Sequence, residues 1–145
     1  MTVRLLIVDD DAVILAVLRH HFRAQGYAVD SASDGAVALA MLAKTSYHIV
    51  ITDLLMPNLD GMGVREAVRS EYPLIRLIVM TGAVSLSNML TCLRKGAFTF
   101  VTKPLTDLAP LDEAVASAAR LVQCWLDQLA ALQRLKRTES GPNPL

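Results

Sequence analysis

Asp9, Asp10 and Asp11 follow one short apolar run of the chain, Asp53 follows a second, Thr81 a third and Lys103 a fourth. These carboxylates, one hydroxyl and one amine become a usable set only if the runs end side by side. Acids brought together in that way repel, since two unit charges about 4 Å apart cost roughly 4 kcal/mol at an effective dielectric of about 20. Such a cluster protonates, takes up a cation or splays apart. Oxygen-only ligands with no His or Cys nearby favour a hard ion, Mg2+ ahead of Zn2+. A carboxylate beside such an ion, faced by a lysine and a hydroxyl, suits phosphoryl transfer, where a protein mostly positions groups and neutralises charge. The plain alternative has each aspartate capping a helix or turn, with Lys103 solvated. Four separate strand ends carrying compatible groups weigh against it.

The elements that must bring these residues together are legible as an alternation. Short apolar runs read as strands: "VRLLIV" (3–8), "YAVDSA" (27–32), "YHIVIT" (47–52), "IRLIVM" (75–80) and "FTFV" (98–101). Four are nearly continuous hydrophobics, as expected of strands covered on both faces of a parallel sheet. "YAVDSA" alternates more and reads as an edge strand. Helical patterns fill the gaps. In "AVILAVLRHHFRAQ" one face carries Ile14, Leu18, His21 and Phe22, and Gly26 follows as a stop. "GAVALAMLAK" (35–44) follows the capping types Ser33 and Asp34, while "GVREAVRSEY" (63–72) and "SLSNMLTCLRK" (85–95) come next, the latter ended by Gly96. The sum is (βα)5, a doubly wound α/β sandwich by right-handed crossovers. In such sheets sites form at the carboxyl ends of the strands. "IVITDLLMPNLDG" (49–61) fits, because it drives Asp53 to the tip of a strand before turning at a proline and at Asp60-Gly61.

The 145 residues are read as one domain, 53% hydrophobic and 19% charged, with 14 basic residues balancing 14 acidic ones. That balance excludes a dedicated nucleic-acid surface, which is basic, and the 5% aromatic content offers no base-stacking platform. Cys92 and Cys124 lack a CxxC spacing and sit in apolar helical contexts, so buried or inert thiols are expected rather than a disulfide or metal site. His20, His21 and His48 are not spaced as ligands with carboxylates, and no GxSxG elbow, P-loop or GxGxxG occurs. "MTVRLLIVDDD" breaks into acid too early for a signal peptide, and no segment reaches the roughly 18 apolar residues of a membrane span. The expectation is a soluble, cytoplasmic protein with no membrane contact.

From about Leu111 the chain runs "LDEAVASAARLVQCWLDQLAALQRLKR" without proline or glycine, about 40 Å at 1.5 Å per residue. A helix that only closes the sandwich needs about half of that. Leu111, Val115, Ala118, Val122, Trp125, Leu129 and Leu132 follow 4-3-4-3 spacing, a heptad-like stripe. The spacing predicts a helix that overshoots the domain and pairs with a partner, through Val122, Trp125, Leu129 and Leu132. The competing reading is an amphipathic helix with a frayed end. "TESGPNPL" reads as a disordered tail or linker. The divisions are therefore 1–122 for the domain, 123–137 for the extended helix and 138–145 for the tail.

Taken in order, "LLIVDDD", "VITDLLMPNLDG", "IVMTG" and "GAFTFVTKP" resemble the receiver domains of two-component response regulators over about residues 3 to 122. The resemblance implies the family's flavodoxin-like fold, a parallel five-stranded sheet of order 2-1-3-4-5. It implies Asp53 as phosphoacceptor, attacking a donor phosphohistidine on a sensor histidine kinase or phosphotransfer protein. It implies Mg2+ bound directly by Asp10 and Asp53, through water by Asp9, and by the backbone carbonyl of Leu55. Asp11 looks instead like a helix N-cap. Lys103 would pair with a phosphoryl oxygen ahead of a cis bond to Pro104, and Thr81 would donate its hydroxyl. Phe100 falls at the family's switch aromatic, whose inward rotation follows Thr81 and remodels the face of the fourth helix, fifth strand and fifth helix.

Two positions qualify the resemblance. Phe100 lacks a phenolic hydroxyl, so an inward lean and a weaker on/off contrast are expected. Leu55 and Ala83 fall where the family tunes dephosphorylation, and neither side chain can orient a water, which implies a long-lived phosphoryl group. The chain is read as a signalling protein rather than an enzyme, acting catalytically only on its own phosphorylation. A haloacid-dehalogenase-like phosphatase needs a second acid where Leu55 stands. A receiver-like interaction module that no longer cycles phosphate is the other alternative. No direct nucleic-acid contact is expected, and the last helix is read as a dimerisation or connector helix, which pairs two copies or joins a linked effector.

Overall fold

The computed structural model describes residues 2–53, 61–82, 90, 94, 99–102 and 106–139, the side chains of Met62, Arg65, Thr81 and Glu139 excepted. In chain order the elements are β1 (Arg4–Val8), α1 (Ala12–Ala24), β2 (Ala28–Ala32), α2 (Gly35–Lys44), β3 (Ile49–Asp53), α3 (Gly61–Glu71), β4 (Arg76–Thr81) and β5 (Thr99–Thr102). A last helix, Ala109–Glu139, follows. The strands form one parallel sheet of order β2-β1-β3-β4-β5, the flavodoxin-like arrangement expected. The segment 85–95 lies outside the described residues apart from Leu90 and Arg94, both helical.

Alternation along the central strands builds two cores from one sheet. Leu5 and Ile7, Ile49 and Ile51, and Ile78 and Met80 face α1 and the last helix, meeting Leu15, Leu18, Phe22, Leu111 and Val115. Leu6 and Val8, Val50, and Leu77 and Val79 face α2 and α3, meeting Ala38, Leu42, Val64 and Val68. All five residues of β3 are buried, the result of flanking strands on both sides and helices on both faces. β2 is an edge, and its outward groups are covered from α1: Arg23 Nη2 donates to the Val29 carbonyl at 2.8 Å and Arg19 Nη1 to Ser31 Oγ at 3.2 Å. These guanidiniums blunt an edge that could otherwise recruit another strand.

The helix ends follow local chemistry. Asp11 caps α1, its Oδ1 accepting from Val13 N–H at 2.9 Å and Ile14 N–H at 3.4 Å. Asp34 caps α2 through Val37 N–H at 2.8 Å. α1 closes in a Schellman motif: Gly26, at φ +98°, donates to the Arg23 carbonyl at 3.0 Å and Tyr27 to the Phe22 carbonyl at 3.3 Å. β3 includes Asp53 itself and α3 begins at Gly61 rather than 63, shifts of one and two residues that are ordinary at the ends of elements.

The last helix is longer than its sequence pattern suggested, 31 residues. Leu111, Val115, Ala118 and Val122 are buried; Leu129, Leu132 and Leu135 are 52%, 60% and 61% exposed. Two expectations need correction. Trp125 does not lie beyond the sandwich: it is half-buried with the Arg76 guanidinium 5.7 Å from its ring centre. Cys124 is a free thiol and exposed, since the stripe carries the buried face away from it; Cys92 lies outside the described residues. No described helix is long and apolar enough to cross a membrane.

Candidate functional site: an acidic pocket at the carboxyl edge of the sheet

β1 and β3 are hydrogen-bonded neighbours, with Val8 opposite Thr52, so the residues that follow arrive together. Asp9 follows β1 and Asp53 ends β3; one carboxylate oxygen from each of Asp9, Asp10 and Asp53 lies within 4.8 Å of the others. Asp9 is fully buried, Asp53 is 8% exposed and Asp10 is open to solvent. Asp9 is held in place twice: its N–H donates to the Ala32 carbonyl at 3.1 Å, and its Oδ1 accepts from Asp11 N–H at 2.8 Å. Burying carboxylates side by side is unfavourable without a compensating positive charge. Donors on a single Mg2+-type ion lie about 3–4 Å apart for bonds near 2.0–2.1 Å, close to the present span. The oxygen-only donor set fits such an ion.

Asp11 is adjacent in sequence but turned to its capping duty, which separates it from the triad. Thr81 ends β4, which pairs with β3 (Asp53 opposite Met80) and with β5 (Thr81 opposite Thr102), so it reaches the same edge of the sheet. β5 ends at Thr102, the residue before Lys103. Lys103, Pro104, Leu55 and Ala83 lie outside the described residues. Phe100 sits in β5 opposite Val79, half-buried and packed against the core on the α2–α3 side.

The amino edge of the sheet carries a different network, one that sequence reading missed. Tyr47 OH donates to Asp30 Oδ2 at 2.7 Å, and Arg4 Nη2 lies 3.8 Å from the same oxygen. Burial, then the bond to and the charge of Asp30, push the Tyr47 phenol up to about 12. His48 Nδ1 accepts from Arg4 N–H at 3.0 Å, while His48 N–H donates to the Arg4 carbonyl at 2.9 Å. Burial and the neighbouring Arg4 charge hold this imidazole below its usual value. His21, on the helix face with Leu18 and Phe22, contacts Asp112 of the last helix at 2.6 Å, and Gln25 Nε2 joins at 3.1 Å. The only sequence signal for that contact was a polar residue on an apolar face, which says that a partner is needed but not which.

Comparison with known proteins agrees with the geometry. A family model described as the response regulator receiver domain matches residues 5–116. "Response regulator MprA" of Mycobacterium sp. (strain KMS) is 34% identical over 143 residues, which is 99% of this chain and 56% of the relative. The chain thus spans about half the length of that curated relative. Among solved structures, a response regulator receiver domain protein from Clostridium thermocellum superposes with a TM-score of 0.78 at 28% identity, covering 85% of this chain and 98% of the other. The response regulator TrrA from Thermotoga maritima, solved in complex with Mg(2+)-BeF, gives 0.72 at 28% identity, covering 81% and 99%.

Proposed function

This chain belongs to the response regulator receiver family, and from that premise we propose that Asp53 accepts a phosphoryl group from a phosphohistidine. The donor is a sensor histidine kinase or a phosphotransfer protein. One carboxylate oxygen of Asp53 attacks phosphorus, the P–N bond breaks, the imidazole leaves with the electron pair, and an acyl phosphate forms. The observation that carries the reading is the burial of Asp53 at the tip of β3, within 4.8 Å of Asp9 and Asp10. Asp9, Asp10, Asp53 and the backbone carbonyl of Leu55 hold Mg2+ in this reading. When bound, the ion neutralises charge on the phosphoryl oxygens and on the clustered acids. Asp9, pinned by the Asp11 N–H, orients the cluster rather than reacting.

Thr81 and Lys103 act on the transferred group, by hydroxyl donation and ion pairing. Thr81 and Phe100 are the switch: Phe100 follows Thr81 inward and remodels the face formed by the fourth helix, β5 and the last helix. Phe100 starts packed on the core, which supports a reduced contrast between the two states. Leu55 and Ala83 give the attacking water no side-chain contact. Hydrolysis, in which water attacks phosphorus and the Asp53 oxygen leaves, is therefore slow. If Leu55→Asn with Ala83→Glu left the decay rate unchanged, that part would be wrong.

Incubation with acetyl phosphate and Mg2+ tests the whole. Intact mass should rise by one phosphoryl group, and Asp53→Ala or chelation of the ion should abolish the gain. An unmodified wild-type chain under these conditions would overturn the proposal.

A further inference from the structure

Tyrosine aside, three polar residues are buried among the described residues: Asp9, Asp53 and Thr52. Asp9 and Asp53 belong to the acidic pocket, and Thr52 is the neutral residue immediately before Asp53. It lies in β3 between Val8 of β1 and Val79 of β4, both part of the core on the α2–α3 side. A hydroxyl among valines is unfavourable unless it is hydrogen-bonded, and a valine there would have nearly the same shape without it. Thr52 Oγ1 donates to the Asp53 carbonyl at 3.1 Å, and that bond is buried.

Successive side chains alternate across a strand, so Thr52 acts on the main chain and not on the reacting oxygens. The direction of the Asp53 carbonyl is set by rotation about the Asp53 Cα–C bond. Because each peptide unit is planar, the same rotation decides how the chain leaves β3 toward Leu54 and Leu55. We propose that Thr52 is a positioning residue for the ion site. Its hydroxyl holds the Asp53 peptide, and with it the Asp53 carboxylate and the path to the Leu55 carbonyl, in the geometry that Mg2+ requires. This role rests on the reading of Asp9, Asp10, Asp53 and the Leu55 carbonyl as the Mg2+ donors. Mg2+ demands near-ideal octahedral geometry at about 2.0–2.1 Å, so a loosened main chain is felt at the ion before it is felt by the fold. The neighbouring strand tip is built in the same way: Asp9 Oδ1 accepts from the Asp11 N–H at 2.8 Å. Each tip thus ties an acid of the pocket to nearby chain by a bond spanning one or two residues.

Thr52→Val removes the hydroxyl and keeps the shape, while Thr52→Ser keeps the hydroxyl. Isothermal titration calorimetry of the whole chain with magnesium chloride reads the ion. Thr52→Val should weaken Mg2+ binding by about threefold to tenfold, the worth of one hydrogen bond, and slow acetyl phosphate uptake. Thr52→Ser should stay close to the wild type in both. Thr52→Ser and Thr52→Ala differ by the same single oxygen and repeat the comparison should valine pack poorly. A hydroxyl that only supports the strand would lower the urea midpoint of Thr52→Val and leave its Mg2+ affinity at the wild-type value, which overturns the proposal. Ser and Ala variants of equal Mg2+ affinity overturn it as well. A wild type that binds Mg2+ yet takes up no phosphoryl group sinks Asp53 as phosphoacceptor and leaves the role of Thr52 to be decided by ion binding. A wild type that binds no Mg2+ overturns both.

Discussion

The two edges of one sheet handle charge in opposite ways. At the carboxyl edge Asp9, Asp10 and Asp53 are gathered within 4.8 Å, like beside like. At the amino edge Tyr47, Asp30 and Arg4 are matched donor to acceptor and positive to negative. Complementary groups hold a fold together, whereas acids gathered in this way suit a cation. The larger expected effect therefore belongs to the acids. Asp53→Asn should abolish phosphoryl uptake, read by intact mass after incubation with acetyl phosphate and Mg2+. In urea titrations, added Mg2+ should stabilise the wild type and leave Asp53→Asn nearly unmoved. An Asp53→Asn chain that gains as much from Mg2+ as the wild type would break the contrast between the edges.

At the opposite edge the expected effect is on stability. Tyr47→Phe leaves the Asp30 carboxylate without its 2.7 Å donor and should cost about 1.5 kcal/mol. Its pH signature follows from a phenol raised from 10.0 to about 12. The folded state holds the proton more tightly, so the contribution is complete below about pH 10 and is lost as pH rises through about 12. Tyr47→Phe should flatten that alkaline loss, read by denaturant titrations across the range.

The carboxyl edge was legible in the sequence and the amino edge was not, for a physical reason. Each acid of the site sits immediately after a continuous apolar run, and strand order alone then brings Asp9 and Asp53 to neighbouring tips. Gly26 and the caps Asp11 and Asp34 were readable because their partners lie within three residues. Asp30 with Tyr47, His21 with Asp112, and Arg76 with Trp125 join residues far apart in sequence, each unremarkable until the fold selects its partner. Trp125 shows the limit of pattern. The stripe placed it correctly on the apolar face, but only the position of Arg76 at the start of β4 decides that it is half covered. Trp125→Ala should therefore cost about 1 kcal/mol, less than the Tyr47 bond yet more than a solvated side chain. Trp125 is the sole tryptophan, so its fluorescence reports the same contact directly, and Arg76→Ala should shift the emission.

The smallest effect is expected at His48, at the amino edge. Its imidazole is held below the ordinary value of 6.5, by burial first and then by the Arg4 charge, and its Nδ1 must be unprotonated to accept the Arg4 N–H. The unfolded chain therefore binds the proton more readily than the folded one. His48 costs nothing above about pH 6.5, and stability is lost as pH falls below that value through the depressed folded one. His48→Gln, which keeps a side-chain acceptor without the titration, should remove this contribution. Metal-free unfolding free energies measured between pH 7 and 5 should then fall less in His48→Gln than in wild type. Parallel pH curves for the two proteins would mean that His48 makes no acid-sensitive contribution.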